Sequence, residues 1–427
     1  MRSSQHAFSA GLRSALAACL LGAGFICAAT AAPALSSDQH WVASWGAAQQ
    51  LVESNNQLAV ENWRDASLRQ IVHLSLGGSR LRVRISNAYG TAPLLVEGAS
   101  VALAQAPGKA DVLAPTLHPL TFDGRSSVMI PAGAEYYSDA VAMDVQPAAD
   151  LAVSLYFKAE PERQTGHPGA RTTTFTTAGN HVMDAAWQDP GKITHWYALS
   201  DVEVQAPRKV GALVAVGDSI TDGYGVTTDG NDRWTDVLAA RLRQDKLALG
   251  VVNAGIGGGR MLRDGLGTNL AARFDRDVLS RAGVTHALVL IGVNDMGGMH
   301  RNTPDLPADR AQLQIDLKQA FRQLAERAHA HGICLIGATV TPYSGSDYYH
   351  PAAENEADRL ALNDWIRHAG VFDAVADFDA ALRDPEQPKL LKKAYDNDGL
   401  HPNLAGYRAL AEAVPLAALR HSCGGNK

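Results

Sequence analysis

Gly211-Ala212-Leu213-Val214-Ala215-Val216-Gly217-Asp218-Ser219-Ile220-Thr221 is the stretch on which the fold turns. From Gly211 to Val216 no side chain is polar, and the run then breaks into Gly-Asp-Ser. A strand without polar alternation is covered on both faces, as in the parallel sheets of α/β proteins. Downstream the pattern repeats. Residues 234–242 have helical spacing, 249–253 and 287–291 are apolar strands, and a helix runs from about 308 to 330. Residues 333–338 form another strand, 357–368 a helix, 371–378 hold a last strand and 406–419 close as a helix. Strands alternating with helices predict a parallel sheet covered on both faces, with its chemistry at the carboxyl ends of the strands.

Upstream of Ala206-Pro207-Arg208 the period is two. Leu81-Arg82-Val83-Arg84-Ile85-Ser86 alternates, which places Leu81, Val83 and Ile85 on one buried face. Residues 68–76 read as its hairpin partner, with Gly77-Gly78 as the turn. Residues 141–145, 151–157 and 193–204 continue the series between Pro and Gly clusters. The expectation is an antiparallel β-sandwich of jelly-roll type over 38–206, followed by an α/β domain over 207–423.

Each early strand end of the second half delivers polar residues. Gly217-Asp218-Ser219 follows the first strand, Asn253-Ala254-Gly255-Ile256-Gly257-Gly258 the second and Gly292-Val293-Asn294-Asp295 the third. Asp398-Gly399-Leu400-His401-Pro402 stands near the C-terminus. A serine hydroxyl needs an adjacent base to become a nucleophile, and imidazole titrates near working pH. An aspartate is needed to orient that imidazole, and Asp398 can fold back to His401 on the same loop. Taken singly, Ser219 is an adequate helix N-cap and the other blocks are adequate turns. Their joint occurrence in order argues for chemistry, while Asp218 and Asn253 read as loop-bracing hydrogen bonders.

These four blocks resemble those of the SGNH (GDSL-type) hydrolases, over residues from about 210 to 419. The resemblance implies a three-layer, flavodoxin-like α/β domain that hydrolyses esters through an acyl-enzyme. It casts Ser219, His401 and Asp398 as the catalytic residues. It also implies an oxyanion hole from the backbone N–H groups of Ser219 and Gly258 and the side-chain amide of Asn294, with no cofactor or metal. Trp41-Val42-Ala43-Ser44-Trp45, Thr341-Pro342-Tyr343 and Ala394-Tyr395-Asp396 are similar to the exported, two-domain, acetylxylan-esterase-like branch. That points to an acylated carbohydrate as the partner. A short-chain lipase, arylesterase or lysophospholipase stays open, as does a carbohydrate-binding protein with an inactive hydrolase half. Tyr343, Tyr348, Tyr349 and His350 lie in a segment expected to overhang the site, where such rings can stack on sugars.

Other motifs fail. Arg260 stands where a dinucleotide loop begun at Gly255 requires its last glycine, and Thr221 stands where a nucleophile elbow does. His329 and His331 are two apart on a helix and diverge, so they are not a metal pair. The net charge of −6 carries no basic cluster, which excludes a nucleic-acid partner. Arg2 and Arg13, an apolar run and Ala-x-Ala sites over 1–34 read as a cleaved signal peptide, hence a secreted or periplasmic protein without stable membrane insertion. Export permits Cys334 and Cys423 to pair, though nothing in their spacing demands it.

Overall fold

The computed structural model describes residues 38–302, 305–421 and Cys423; the expected signal peptide lies outside the described residues. The first half is a β-sandwich. One antiparallel sheet orders the strands Gln39–Gly46, Leu199–Pro207, Gly78–Ser86 and Val141–Val145, with Glu135–Tyr137 also on Gly78–Ser86. The other places Ala66–His73 and Asp150–Phe157 at its centre, flanked by Thr174–Ala178 and Gly98–Leu103. Leu68, Val72, Leu81, Val83, Ile85, Val153 and Leu155 fill the space between the sheets.

One expectation is corrected here. Residues 66–73 and 78–86 are not hairpin partners: the former pair with Asp150–Phe157, the latter with Leu199–Pro207. The chain changes sheets at Leu74-Ser75-Leu76, so the two strands meet face to face across the core. Their apolar faces are satisfied either way, which is why alternation alone did not separate edge pairing from face packing.

The second half holds a parallel sheet ordered Leu249–Gly255, Gly211–Gly217, Val284–Leu290, Cys334–Ala338, Ala374–Ala376. Numbered along this half, the order is 2-1-3-4-5, the flavodoxin-like arrangement, whose switch point lies beside its first strand. Helices Trp234–Gln244 and Leu404–Ala413 cover one face; Pro307–Ala330 and Ala353–His368 cover the other. The last helix is shorter than expected because Pro415, which lacks an N–H, follows it closely. Cys334 and Cys423 form a disulfide that ties the fourth strand to the C-terminal tail.

From Asp38 onward the chain is one compact unit. Val42, Ala43, Ala48 and Ala206 belong to the same apolar cluster as Val214, Val252 and Phe274. Strand Gln39–Gly46 lies against strand Leu249–Gly255 so closely that a Cβ on Gly250 would stand 2.1 Å from the Ala43 carbonyl oxygen. Polar groups cross the junction as well. Arg281 donates to Ser200 O (2.7 Å), to Ala47 O (3.1 Å) and to Asp201, which also binds Arg84. Arg276 donates to Gln49 O (2.9 Å) and the Tyr89 hydroxyl (3.1 Å). A buried charge left unpaired is costly, so each half is built to be completed by the other.

Candidate active site

Ser219 begins the short helix Ser219–Asp222 at the carboxyl end of the first strand of the parallel sheet. Asp218 caps that helix by accepting from Ile220 N (3.0 Å), which sets the turn that points the serine outward. Burial, with the Asp295 charge adding to it, pushes the Asp218 carboxyl up to about 7. Asn253 braces the neighbouring strand end, donating to Thr221 O (2.6 Å) and Thr235 Oγ1 (3.0 Å).

The structure brings Ser219, His401 and Asp398 together. Ser219 Oγ lies 2.8 Å from His401 Nε2, and His401 Nδ1 lies 2.8 Å from Asp398 Oδ2. Asp398 accepts also from the backbone N–H of His401 (2.7 Å) and Leu400 (3.1 Å). Burial works against its charge, but these bonds prevail and hold the carboxyl below its ordinary value. A carboxylate can only accept, so His401 Nδ1 carries the proton and Nε2 turns its lone pair to the serine hydroxyl. Gly399 makes the loop: its φ of +77° suits glycine, and its N–H donates to Asp396 Oδ1 (2.6 Å).

Gly258 and Asn294 line the same cleft as Ser219, with a volume of about 820 Å³. Gly258 has φ +66°, and a Cβ there would crowd Leu266 at 3.2 Å. Asn294, in helix Val293–His300, is fixed from two sides. Its Nδ2 donates to Gly259 O (2.8 Å), and its Oδ1 accepts from the Tyr349 hydroxyl (2.5 Å). An amide accepting through Oδ1 cannot flip, so Nδ2 keeps its second N–H for the cleft. Asp295 accepts from Met261 N (2.8 Å) and Leu262 N (3.1 Å), anchoring the loop after Gly258. The arrangement supplies a serine with a base, an oriented base and convergent donors, the requirements of acyl transfer.

Sequence reasoning did not find the residues that the sandwich contributes. The segment after strand Thr165–His167 enters the cleft. His167 lies 2.9 Å from Asp222 Oδ1 through Nε2 and 2.8 Å from Ala48 O through Nδ1. His167 thus bridges Ala48 of the sandwich and Asp222 of the hydrolase segment and ties the halves together. Asp222 Oδ2 in turn accepts from Gly257 N (3.1 Å), one residue before Gly258. Tyr224 rests on the His401 ring at 4.2 Å between centroids. Asp222 stands one helical turn from Ser219 and carried a signal in that spacing; His167, in the other half, carried none.

The tyrosines expected to stack on sugars divide. Tyr343 is fully buried and Tyr349 is 4% exposed, occupied with Asn294, whereas Tyr348 is exposed at the cleft with Arg301 over its ring. His329 pairs with Asp373 and His331 bonds Arg327 O. Among the described residues no helix is long and apolar enough to cross a membrane.

Residues 215–409 match the GDSL-like lipase/acylhydrolase family. This segment is a GDSL-type acylhydrolase domain. Among solved structures, a GDSL-like lipase from Bacteroides thetaiotaomicron shares 20% identity, with 49% of this chain and 87% of that one covered at a TM-score of 0.36. An acetyl xylan esterase from Geobacillus stearothermophilus shares 21% over 48% and 94%, at a TM-score of 0.35. No curated protein matches the chain in sequence. The match is confined to residues 215–409, and the sandwich half lies outside it.

Proposed function

We propose that the chain is an exported serine esterase that removes acetyl or other short acyl groups from carbohydrate through an acyl-enzyme on Ser219. The observation that carries the reading is the continuous relay Ser219–His401–Asp398 opening into a cleft lined in part by charged and polar side chains. His401 Nε2 takes the Ser219 proton as Oγ attacks the ester carbonyl carbon. The negative charge that moves onto the carbonyl oxygen meets the N–H groups of Ser219 and Gly258 and the Asn294 amide. Asp398 stabilises the imidazolium meanwhile. His401 then gives its proton to the departing alcohol, the C–O bond breaks, and an acyl-serine remains. Water, deprotonated by the same Nε2, repeats the attack and returns Ser219.

A short acyl group and a sugar acceptor are favoured by what lines the cleft. Gln50, Glu53, Asn56, Arg171, His195 and Asp347 line it, beside apolar groups that include Pro168, Tyr224, Leu266, Tyr348 and Leu400. A long alkyl chain would desolvate those polar groups without pairing them. Ser219→Ala should lower kcat on p-nitrophenyl acetate by several orders of magnitude and abolish labelling by a fluorophosphonate. A variant retaining about a tenth of wild-type activity, far above what loss of such a nucleophile leaves, removes Ser219 from the reaction. Along p-nitrophenyl acetate, butyrate, octanoate and palmitate, kcat/KM should fall steeply after butyrate, and acetylated xylan should release acetate. Rising efficiency toward octanoate without acetate from any glycan would replace this reading with the lipase one.

A further inference from the structure

We propose that the sandwich half builds the subsite for the departing alcohol, and that this subsite takes a polyhydroxylated acceptor, read by Arg171 as donor and Glu53 as acceptor. The inference rests on the esterase reading of Ser219 and His401 and adds what the other half of the chain is for. The group that protonates the leaving oxygen must touch it, so the alcohol lies on the His401 side of the scissile bond, away from Gly258 and Asn294. On that side the His401 ring contacts Tyr224, and the Arg171 guanidinium carbon lies 5.1 Å from the Tyr224 ring centroid. Beyond His401, therefore, the cleft wall passes from the hydrolase to the sandwich.

Arg171 is placed there at some expense. Its φ is +50°, a backbone region that L side chains adopt only at a cost. The turn is held by Asp229, whose N–H donates to Arg171 O (3.0 Å) and whose carboxylate accepts from Thr173 N (2.7 Å) and Oγ1 (2.7 Å). Yet the Arg171 Nε is buried with no hydrogen-bond partner, and among the described residues no carboxylate pairs with it. Arg171 lines the cleft, so its uncompensated charge is left for a ligand. Three other acids of the cleft are already employed: Asp398 by His401, Asp222 by His167 and Gly257, Asp396 by Gly399; Asp347 lines it as well.

Glu53 is the complementary group. Its carboxylate is oriented by Asn56 Nδ2 (2.6 Å) and Gln50 Nε2 (3.3 Å), leaving lone pairs for a further donor. His195 lines the same cleft and feels both charges: burial lowers its pKa, Glu53 acts to raise it and Arg171 to lower it. A donor-only cation, an acceptor-only anion and an imidazole on one wall match neighbouring hydroxyls, each of which both donates and accepts. A simple alkyl or aryl alcohol has nothing to offer them.

The test compares two acetates with the full-length protein: methyl mono-O-acetyl-β-xylopyranoside, which keeps free hydroxyls beside the ester, and cyclohexyl acetate, which has none. The readout is the ratio of their kcat/KM values, so intrinsic reactivity cancels between wild type and variant. Arg171→Asn suits the positive φ while removing the guanidinium, and Glu53→Gln keeps the shape without the charge. Each should lower the sugar-to-cyclohexyl ratio about tenfold, the loss expected for one charge-assisted hydrogen bond, and chiefly through KM. Circular dichroism and thermal unfolding establish that each variant folds. If both substrates fall together and the ratio holds in both variants, Arg171 and Glu53 only support the wall and the inference is overturned, while the esterase reading stands. If wild type cleaves cyclohexyl acetate but not the xyloside, the carbohydrate reading itself fails.

Discussion

Tyr349→Phe removes one oxygen atom, and the structure says what that atom does. The hydroxyl donates to Asn294 Oδ1 at 2.5 Å in a site where the ring is 4% exposed, so no water replaces it readily. With the phenol gone, Oδ1 loses the donor that fixes its identity, and only the bond from Nδ2 to Gly259 O still opposes a flip. A neutral hydrogen bond is worth about 1 kcal/mol net, which corresponds to a fall in kcat of about fivefold. Asn294→Ala discards the donor altogether and should cost ~10²–10³-fold, the range found when one oxyanion donor is removed. The ground-state carbonyl depends little on either group, so KM on p-nitrophenyl acetate should hardly move. The decisive assay is the double-mutant cycle. If Tyr349 acts through Asn294, adding Tyr349→Phe to Asn294→Ala should cost nothing further. An equal loss in both backgrounds, or a loss carried by KM, would refute the positioning role.

Asp218→Asn keeps the N-cap acceptor for Ile220 but removes a carboxyl raised to about 7 by burial. A folded-state pKa above the unfolded one means folding favours the protonated acid; the wild type is thus least penalised below about pH 4 and progressively more so as pH rises to about 7. The Tm advantage of the variant should widen across that interval, and a pH-independent gap would contradict the assignment. Cys423→Ser opens a cross-link between positions 89 residues apart; it should cost up to about 4–5 kcal/mol in the chain-entropy account, and a Tm insensitive to dithiothreitol would argue against the bond. A fragment beginning at Pro207 retains Ser219, His401 and Asp398 but strips Arg276, Arg281 and Asp222 of their sandwich partners. It should fail to fold, and a soluble fragment with native activity on p-nitrophenyl acetate would overturn that.

What was legible in the sequence was local. Continuous apolar strands announced the parallel sheet because burial on both faces leaves no polar period, and Gly211–Gly217 is buried throughout. Ser219, Asn294, Asp398 and His401 stood out because strand ends expose short motifs whose residue types have few other reasons to recur in that order. Asp398 and His401 are three apart on one loop, so their bond was within reach of sequence reasoning. The partner of strand Gly78–Ser86 was not legible, since both candidate pairings bury the same alternation. Tyr349 was misread for a related reason. Sequence places a tyrosine near a cleft but does not say whether its hydroxyl faces solvent or, as here, a buried amide.

A further set of contacts was invisible because each joins residues of the sandwich to residues of the hydrolase segment. His167 and Asp222 are 55 positions apart, Gln49 and Arg276 227 apart, and no periodicity spans such intervals. They nevertheless converge on one place. From Ala48 O through His167 and Asp222 to Gly257 N, a hydrogen-bonded chain runs from the sandwich to the residue before Gly258. Gly169 leaves no room for a side chain beside the Asp222 carboxylate, where a Cβ would stand 2.0 Å from Oδ2. The position of the Gly258 N–H therefore depends on a histidine outside the segment that matches the acylhydrolase family. Rigid support for oxyanion donors is what makes them effective, because they then need no reorganisation as charge develops. In this chain the hydrogen bonds that brace Gly257, and part of the cleft lining, come from the sandwich, so the candidate site is larger than the segment that carries the motifs.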